Sequence, residues 1–365
     1  MFVFINLKIE IMWTSYRFYI DMMDKIKKYI KMTGNDYKII DNIDQYTKDM
    51  TLIIDIATII NLFWINKLEK LLDTNYILIV GENIDKKINS FIGWNDLKTY
   101  LNFSTYNLLA QVLRKSKKIT YQNNKLFNLF KEYGITNLQF FPIDGYLPEY
   151  VIPNLNKVTK DIDVLYYGGM CYNRRMEVAT NLCAAHPKWG QVKVVVCNNI
   201  FDLNDLINRS KIILHVNSVD SCYHVPYAKI MKILANNKII VTEVTEEFKT
   251  CDLIDYVYPF NFNDTGEFKG VKFPSYMSII YTILENYDDE QKKLNQKNPQ
   301  KYIKEHYNFN FNVSQLLDIK IPTISNNKKP TILDNKKPIN LDNIKPVIEK
   351  KPIILDNKKP VIEKN

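Results

Sequence analysis

The stretch Asp161-Ile-Asp-Val-Leu-Tyr-Tyr-Gly-Gly-Met-Cys-Tyr-Asn-Arg-Arg175 constrains this chain more than any other. Residues 164–167 are a short apolar, β-prone run that ends at Gly168-Gly169, and an amphipathic helical pattern begins near Asn173. The order strand, tight glycine turn, helix is the opening unit of an α/β domain that holds a nucleotide at the turn. Glycines at a strand's carboxyl end let a ligand approach the backbone, and the start of a helix offers free N–H groups to an anion. Arg174 and Arg175 add two planar donors beside that anion. The chain has only five arginines, so an adjacent pair here carries weight. The plainer reading is a strand–loop–helix with two solvated arginines, and a glycine pair alone does not separate the two.

Apolar runs and helical periods alternate through the rest of the chain. Residues 51–60 are a buried run and 75–80 a strand; a helix covers 105–115, a strand 118–121, a helix 125–133, and a strand with its turn 139–145. Pro148 and Pro153 mark a linker. Beyond it, strands at 192–196, 211–216, 239–242 and 256–258 alternate with helices at 203–208 and 227–235, and helices at 276–287 and 289–305 close the region. The pattern predicts parallel sheets covered by helices on both faces. The expected organisation is a helical segment over 1–35, an α/β domain over 36–147, a linker over 148–160 and a second α/β domain over 161–318. From 319 the character changes. Prolines 330, 338, 346, 352 and 360 punctuate a Lys-Lys-Pro-x-Ile-Leu-Asp-Asn repeat, which reads as a disordered basic tail over 319–365.

The tail also accounts for most of the charge. The chain carries +9, but residues 319–365 hold eleven lysines against five acids, so the body is close to balanced. That argues against nucleic acid as a partner. Five scattered cysteines without C-x-x-C spacing read as free thiols in a reducing compartment, with no zinc site. No run reads as a membrane span: residues 51–64 are too short and contain Asp55. A cytoplasmic protein is expected.

The second domain resembles a family of GT-B glycosyltransferases that includes spore-maturation-type and giant-virus sugar transferases. The matching pieces are Asp163-Val-Leu-Tyr-Tyr-Gly-Gly with Asn173-Arg-Arg, Arg209-Ser-Lys-Ile-Ile-Leu-His-Val-Asn217, Lys229-Ile-Met-Lys-Ile-Leu-Ala-Asn-Asn-Lys-Ile-Ile-Val-Thr-Glu243, and Tyr256-Val-Tyr-Pro-Phe260. Lys118-Ile-Thr-Tyr-Gln and Phe141-Pro-Ile-Asp-Gly-Tyr146 are similar to the end of that family's N-terminal domain. The resemblance spans roughly residues 105–310 and lies in order and spacing rather than in one diagnostic motif. The heavy use of Lys, Asn, Ile and Tyr is the composition of an AT-rich genome, as in many giant DNA viruses, where host cytoplasm or virion would be the location. The resemblance implies two Rossmann-like domains facing across a cleft. A nucleotide sugar of unspecified base would lie mostly on the second domain, and an acceptor (glycan, protein or lipid) on the first. Basic side chains and a helix N-terminus would stabilise the departing diphosphate, so no metal or other cofactor is required.

Carried onto this sequence, the donor site would comprise Gly168, Gly169, Asn173, Arg174, Arg175, Asn217, Tyr223, His224, Tyr227 and Lys229. The family places a glutamate for the donor's ribose just before the helix read here over 227–235. This sequence has Tyr223-His-Val-Pro-Tyr227 instead, with Pro226 near that glutamate and Lys229 where an arginine is common. A proline side chain cannot hydrogen-bond a ribose. Either Tyr223, His224 or Tyr227 substitutes, or activity has been lost and the chain is a GT-B scaffold that binds a partner. A sugar-nucleotide epimerase of the same fold is the third reading. Catalytic candidates are Glu82, Asp144 and His215; a mid-strand histidine without a visible partner is more often structural. Glu243, Glu246 and Glu247 either line the cleft or begin a solvated helix. Asp161-Ile-Asp163 lies before its strand, away from the expected site.

Overall fold

The computed structural model describes residues 1–5, 14–55, 58–59, 62, 65–80, 108, 111–132, 134–142, 145–153, 158–168, 173–184, 192–197, 203–217 and 225–319. Glu82, Asp144, Gly169, Tyr223, His224 and the expected tail lie outside these residues.

Apolar runs that can be covered on both faces become parallel strands. In the N-terminal lobe these are β1 (Phe2–Ile5), β2 (Tyr37–Ile40), β3 (Thr51–Asp55), β4 (Tyr76–Ile79), β5 (Lys118–Tyr121) and β6 (Leu138–Phe140), in the order β2-β1-β3-β4-β5-β6. Every residue of β4 is buried, as are Leu52, Ile53 and Ile54 of β3. Helix Thr14–Met32 lays Met22, Ile26 and Ile30, spaced four apart, into this core. The first 35 residues are therefore not a separate helical segment. Phe2 pairs with both Tyr37 and Thr51, so β1 is an interior strand of the sheet.

The C-terminal lobe repeats the plan with β7 (Ile162–Tyr167), β8 (Val194–Cys197), β9 (Ser210–His215), β10 (Ile239–Glu243) and β11 (Tyr258–Phe260), in the order β11-β10-β9-β7-β8. In both sheets the first strand has the second on one side and the third on the other. The connections therefore leave in opposite directions at β1/β3 and at β7/β9, and each reversal opens a crevice at the strands' carboxyl ends. Around the second sheet lie helices Asn173–Cys183, Leu203–Arg209, Tyr227–Leu234 and Ser275–Glu285.

Three local features depart from the expectations. The helix expected over 289–305 is two helices, Tyr287–Lys297 and Pro299–His306, because Asn298 turns left-handed (φ 49°) and Pro299 starts a new first turn. The expected strand at 256–258 begins only at Tyr258, since residues 252–256 form a 3₁₀ turn. An unanticipated hairpin, β12 (Thr265–Phe268) and β13 (Val271–Pro274), closes through Lys269 and Gly270, both at positive φ as a two-residue hairpin loop demands.

The chain passes between the lobes twice. Helix Phe309–Leu317, placed by sequence in the second domain, inserts Phe309, Val313, Leu316 and Leu317 into the core of the first. Where the two connectors cross, the Tyr146 N–H donates to the Tyr307 carbonyl at 2.6 Å and the Phe309 N–H to the Tyr146 carbonyl at 3.0 Å. Gly145 permits this approach, because a Cβ there would overlap the Tyr307 carbonyl oxygen. The lobes also meet along the carboxyl ends of their sheets. The Asn124 N–H, just after β5, donates to Glu247 Oε1 at 3.0 Å, and the Phe140 ring meets Tyr227 edge-on at 6.5 Å. The two lobes thus touch near the carboxyl ends of both sheets. Among the described residues no helix is long and apolar enough to cross a membrane.

Candidate functional site

The strongest constellation lies at the reversal point of the C-terminal sheet. Tyr167 ends β7, Gly168 follows with φ 153°, and helix Asn173–Cys183 begins five residues later. Arg175 leaves the first turn of that helix and donates from Nε to the Val216 carbonyl, just past β9, at 3.1 Å. It therefore spans the gap between the two diverging strands. Lys229, from helix Tyr227–Leu234, donates from Nζ to the Tyr167 carbonyl at 3.3 Å and lies over the Tyr167 ring, 5.0 Å from its centroid. Both cations close on Gly168. A Cβ at that position would stand 3.0 Å from Lys229 Nζ and 3.6 Å from Arg175 Nη1. Glycine keeps this backbone accessible beneath two positive charges, at the end of the sheet where a helix N-terminus also points.

Arg174, expected beside Arg175 on the same anion, does something else. Its Nη1 and Nη2 donate to Glu243 Oε2 and Oε1 at 2.9 and 2.6 Å, a bidentate fork, and its guanidinium stacks 3.7 Å from the Phe262 ring centroid. Glu243 Oε2 also accepts the Asn217 N–H at 2.8 Å. Consecutive helical residues point about 100° apart, so the two arginines reach different partners. Glu243 ends β10 and Asn217 follows β9, so this pair ties the loops after β7, β9 and β10 into one frame. Of the three glutamates weighed, Glu243 is buried in this frame, while Glu246 and Glu247 open a short helix capped by Thr245. Beneath the corner, Tyr166 is buried. Among the described residues its hydroxyl has no hydrogen-bond partner, and burial pushes its pKa up to about 12.

Other expected site residues are placed elsewhere. Tyr227 is buried between Phe140 and Tyr307, in the core of the C-terminal lobe, where burial raises its phenol pKa well above the usual value. Its apolar body won over its hydroxyl. His215 is likewise buried, with Nδ1 3.0 Å from Thr242 Oγ1. Pro226 is the cap residue of helix Tyr227–Leu234 and supplies no side-chain hydrogen bond. Asp161 and Asp163 sit at the opposite, amino end of β7, held by Arg209 and Lys193, and by Lys211, respectively. Among the described residues no group of three or more His, Cys, Asp or Glu side chains could hold a metal ion.

Sequence reasoning missed one residue on the facing lobe. Asp55 ends β3 at the first sheet's own reversal point and is buried; its Oδ1 accepts the Thr58 N–H at 2.7 Å and the Thr58 hydroxyl at 2.8 Å. An acid closing an apolar strand was the available signal. Nearby, Asn123 follows β5; its Oδ1 caps the next helix through the Leu126 N–H at 2.7 Å. Among the described residues its buried Nδ2 has no partner.

No protein-family model matches the sequence, and no curated protein matches it. Solved structures do. Sucrose-phosphate synthase from Thermosynechococcus elongatus superposes with a TM-score of 0.58 at 8% identity, over 87% of this chain and 97% of that one. HepE from Anabaena, solved in complex with UDP, gives 0.54 at 7% identity over 87% and 98%. A glycosyltransferase from Rickettsia africae gives 0.51 at 13% identity over 87% and 97%. At such identities the likeness speaks for the fold. The chain has a GT-B-like architecture of two Rossmann-like lobes, each built on a parallel sheet.

Proposed function

We propose that the protein is a glycosyltransferase that takes a sugar from a nucleotide-sugar donor, with the donor's diphosphate seated over Gly168 between Arg175 and Lys229. The observation that carries this reading is the two-cation cradle at the reversal point of the C-terminal sheet. Charge accumulates on the diphosphate as the sugar leaves. Cations fixed in advance by backbone carbonyls stabilise that charge without reorganising, so Arg175 and Lys229 can do this without a metal ion. Arg174 and Glu243 then serve as the frame of the cradle. The acceptor would lie on the N-terminal lobe, where Asp55 is the described carboxylate at the matching strand end. Its two hydrogen bonds from Thr58 keep it oriented for a role as base.

A second reading has a specific observation behind it. Pro226 caps helix Tyr227–Leu234 without a side-chain hydrogen bond, near where the resemblance would put a ribose-holding glutamate. A scaffold that binds a nucleotide or glycan without turning it over fits that feature. One experiment separates these readings. Thermal shift with UDP, GDP, CDP and TDP would identify the base, since a ligand at a hundred times its Kd stabilises by about 2.7 kcal/mol. Incubation with the matching nucleotide sugars then follows, with water and a panel of glycan, peptide and lipid hydroxyls as acceptors of the sugar. Release of nucleoside diphosphate, lost in Asp55→Asn while the thermal shift persists, supports a transferase. Binding without release supports the scaffold, and a changed sugar still attached to its nucleotide supports an epimerase. No shift with any nucleotide defeats the proposal.

A further inference from the structure

A cavity of about 360 Å³ opens on the other end of the C-terminal sheet, at the amino ends of β9 and β10. The rise of a six-residue strand puts it roughly 15 Å or more from the cradle. Lys160 and Lys238 line it together with Asn236, Asn237, Gln291 and Gln300; among the described residues no aspartate or glutamate does. The local fold explains why a lysine enters so deep. Asn237 is left-handed (φ 47°), and this turn after helix Tyr227–Leu234 drives Lys238 inward, where it is only 2% exposed. Its Nζ donates to the Ser210 carbonyl at 2.7 Å and the Asn208 carbonyl at 3.1 Å. Lys160 Nζ donates to that same Asn208 carbonyl. Two ammonium groups on one oxygen would repel in a poorly screened place, which disfavours the charge on the buried one.

The wall around them is built in advance. Asn236 accepts the Ile152 N–H at 2.7 Å and donates to the Tyr150 carbonyl at 2.8 Å. Gln291 donates to the Asn237 carbonyl at 2.8 Å, and the Gln300 N–H donates to Asn237 Oδ1 at 3.2 Å. Linker, turn and both closing helices thus converge on a polar, cationic chamber far larger than one oxyanion fills.

We propose that this chamber is a second ligand site, for a small phosphate monoester whose dianion lies between Lys160 and Lys238. Burial first, and then Lys160, pull the Lys238 pKa down to about 6, and a bound dianion reverses both penalties. The carbonyls of Asn208 and Ser210 accept from Lys238, and Tyr287 of the closing helix also lines the chamber, with its hydroxyl donating to Gln291. Arg209 is engaged by Asp161 and Asp205. Binding should therefore take up a proton.

The test is calorimetric titration of the full chain with glucose 6-phosphate, inorganic phosphate and sulfate, on wild type, Lys160→Met and Lys238→Met. The proposal expects saturable binding of glucose 6-phosphate, tighter than inorganic phosphate and at least about tenfold weaker in Lys160→Met. Sulfate keeps its charge between pH 6 and 8, so its tighter binding at pH 6 reports on the protein, and that difference should vanish in Lys238→Met. Should Lys238→Met fail to fold, the half-exposed Lys160 variant still decides the matter. Absence of saturable binding, equal affinity for ester and inorganic phosphate, unchanged affinity in Lys160→Met, or displacement of the ester by UDP would each overturn it.

Discussion

Arg174 pairs with Glu243 while its neighbour Arg175 reaches the Val216 carbonyl, and replacing Arg174 tests whether the two serve different ends. The Arg174 and Glu243 side chains are only 12% and 8% exposed, and two charge-assisted hydrogen bonds join them. Arg174→Met removes the cation and leaves Glu243 buried with the Asn217 N–H as its remaining partner in the frame. Losing one member of a buried pair costs about 3–5 kcal/mol, and the slight exposure favours the lower end, so about 3 kcal/mol is expected. In a chain of this size that lowers Tm by about 4 °C. Urea unfolding gives the free energy directly: the midpoint should fall at constant slope. The double variant Arg174→Met with Glu243→Met removes both charges and should be more stable than Arg174→Met alone. A single variant within about 0.5 kcal/mol of wild type that has nonetheless lost nucleotide binding would refute the reasoning, since Arg174 would then hold the ligand and not the frame.

Two further outcomes follow from packing and protonation. Gly145→Ala gains up to about 1 kcal/mol from a stiffer unfolded chain, but its Cβ meets a backbone carbonyl that cannot rotate away. The clash should win by at least about 2 kcal/mol, and an unchanged or raised Tm would contradict the crossing of the connectors. Folded Lys238 holds its proton only below about pH 6, whereas the unfolded chain holds it to about pH 10.4. Between these values the unfolded state binds more protons, so stability rises with pH by up to about 1.4 kcal/mol per unit. Urea unfolding of wild type and Lys238→Met across that window should show the slope only in wild type. Equal slopes would count against a neutral, buried Lys238.

Much of the second lobe could be read from the chain because its signals are local. The run 164–167 lies in the strand Ile162–Tyr167, and the glycine at 168 and the helix from Asn173 appear where turn residue and amphipathic pattern place them. Most of the misplacements are cases in which the deciding partner is distant in sequence. Nothing near Phe2–Ile5 announces that it will pair with Tyr37 and Thr51, and Phe309–Leu317 is an amphipathic helix whose pattern does not say which lobe it fills. The pairing of Arg174 with Glu243 spans 69 residues and obeys no motif. Tyr227 was assigned by its hydroxyl, yet at the start of a helix facing Phe140 and Tyr307 its ring decides its place. The break at Asn298-Pro299 was the opposite case: proline at a first helical position is a local signal that should have split the closing helix.

That Arg175 and Lys229 hold a nucleotide diphosphate over Gly168 is a proposal open to direct measurement. Its most direct test is calorimetric titration of UDP, GDP, CDP and TDP into wild type and into the double variant Arg175→Ala with Lys229→Ala. Two lost charge-assisted contacts of about 1.5 kcal/mol or more each amount to at least about a hundredfold in affinity. One of these nucleotides should bind wild type at a single site. The double variant, still folded by its unfolding curve, should bind that nucleotide about a hundredfold more weakly. No binding by wild type, or equal binding by both proteins, would contradict it.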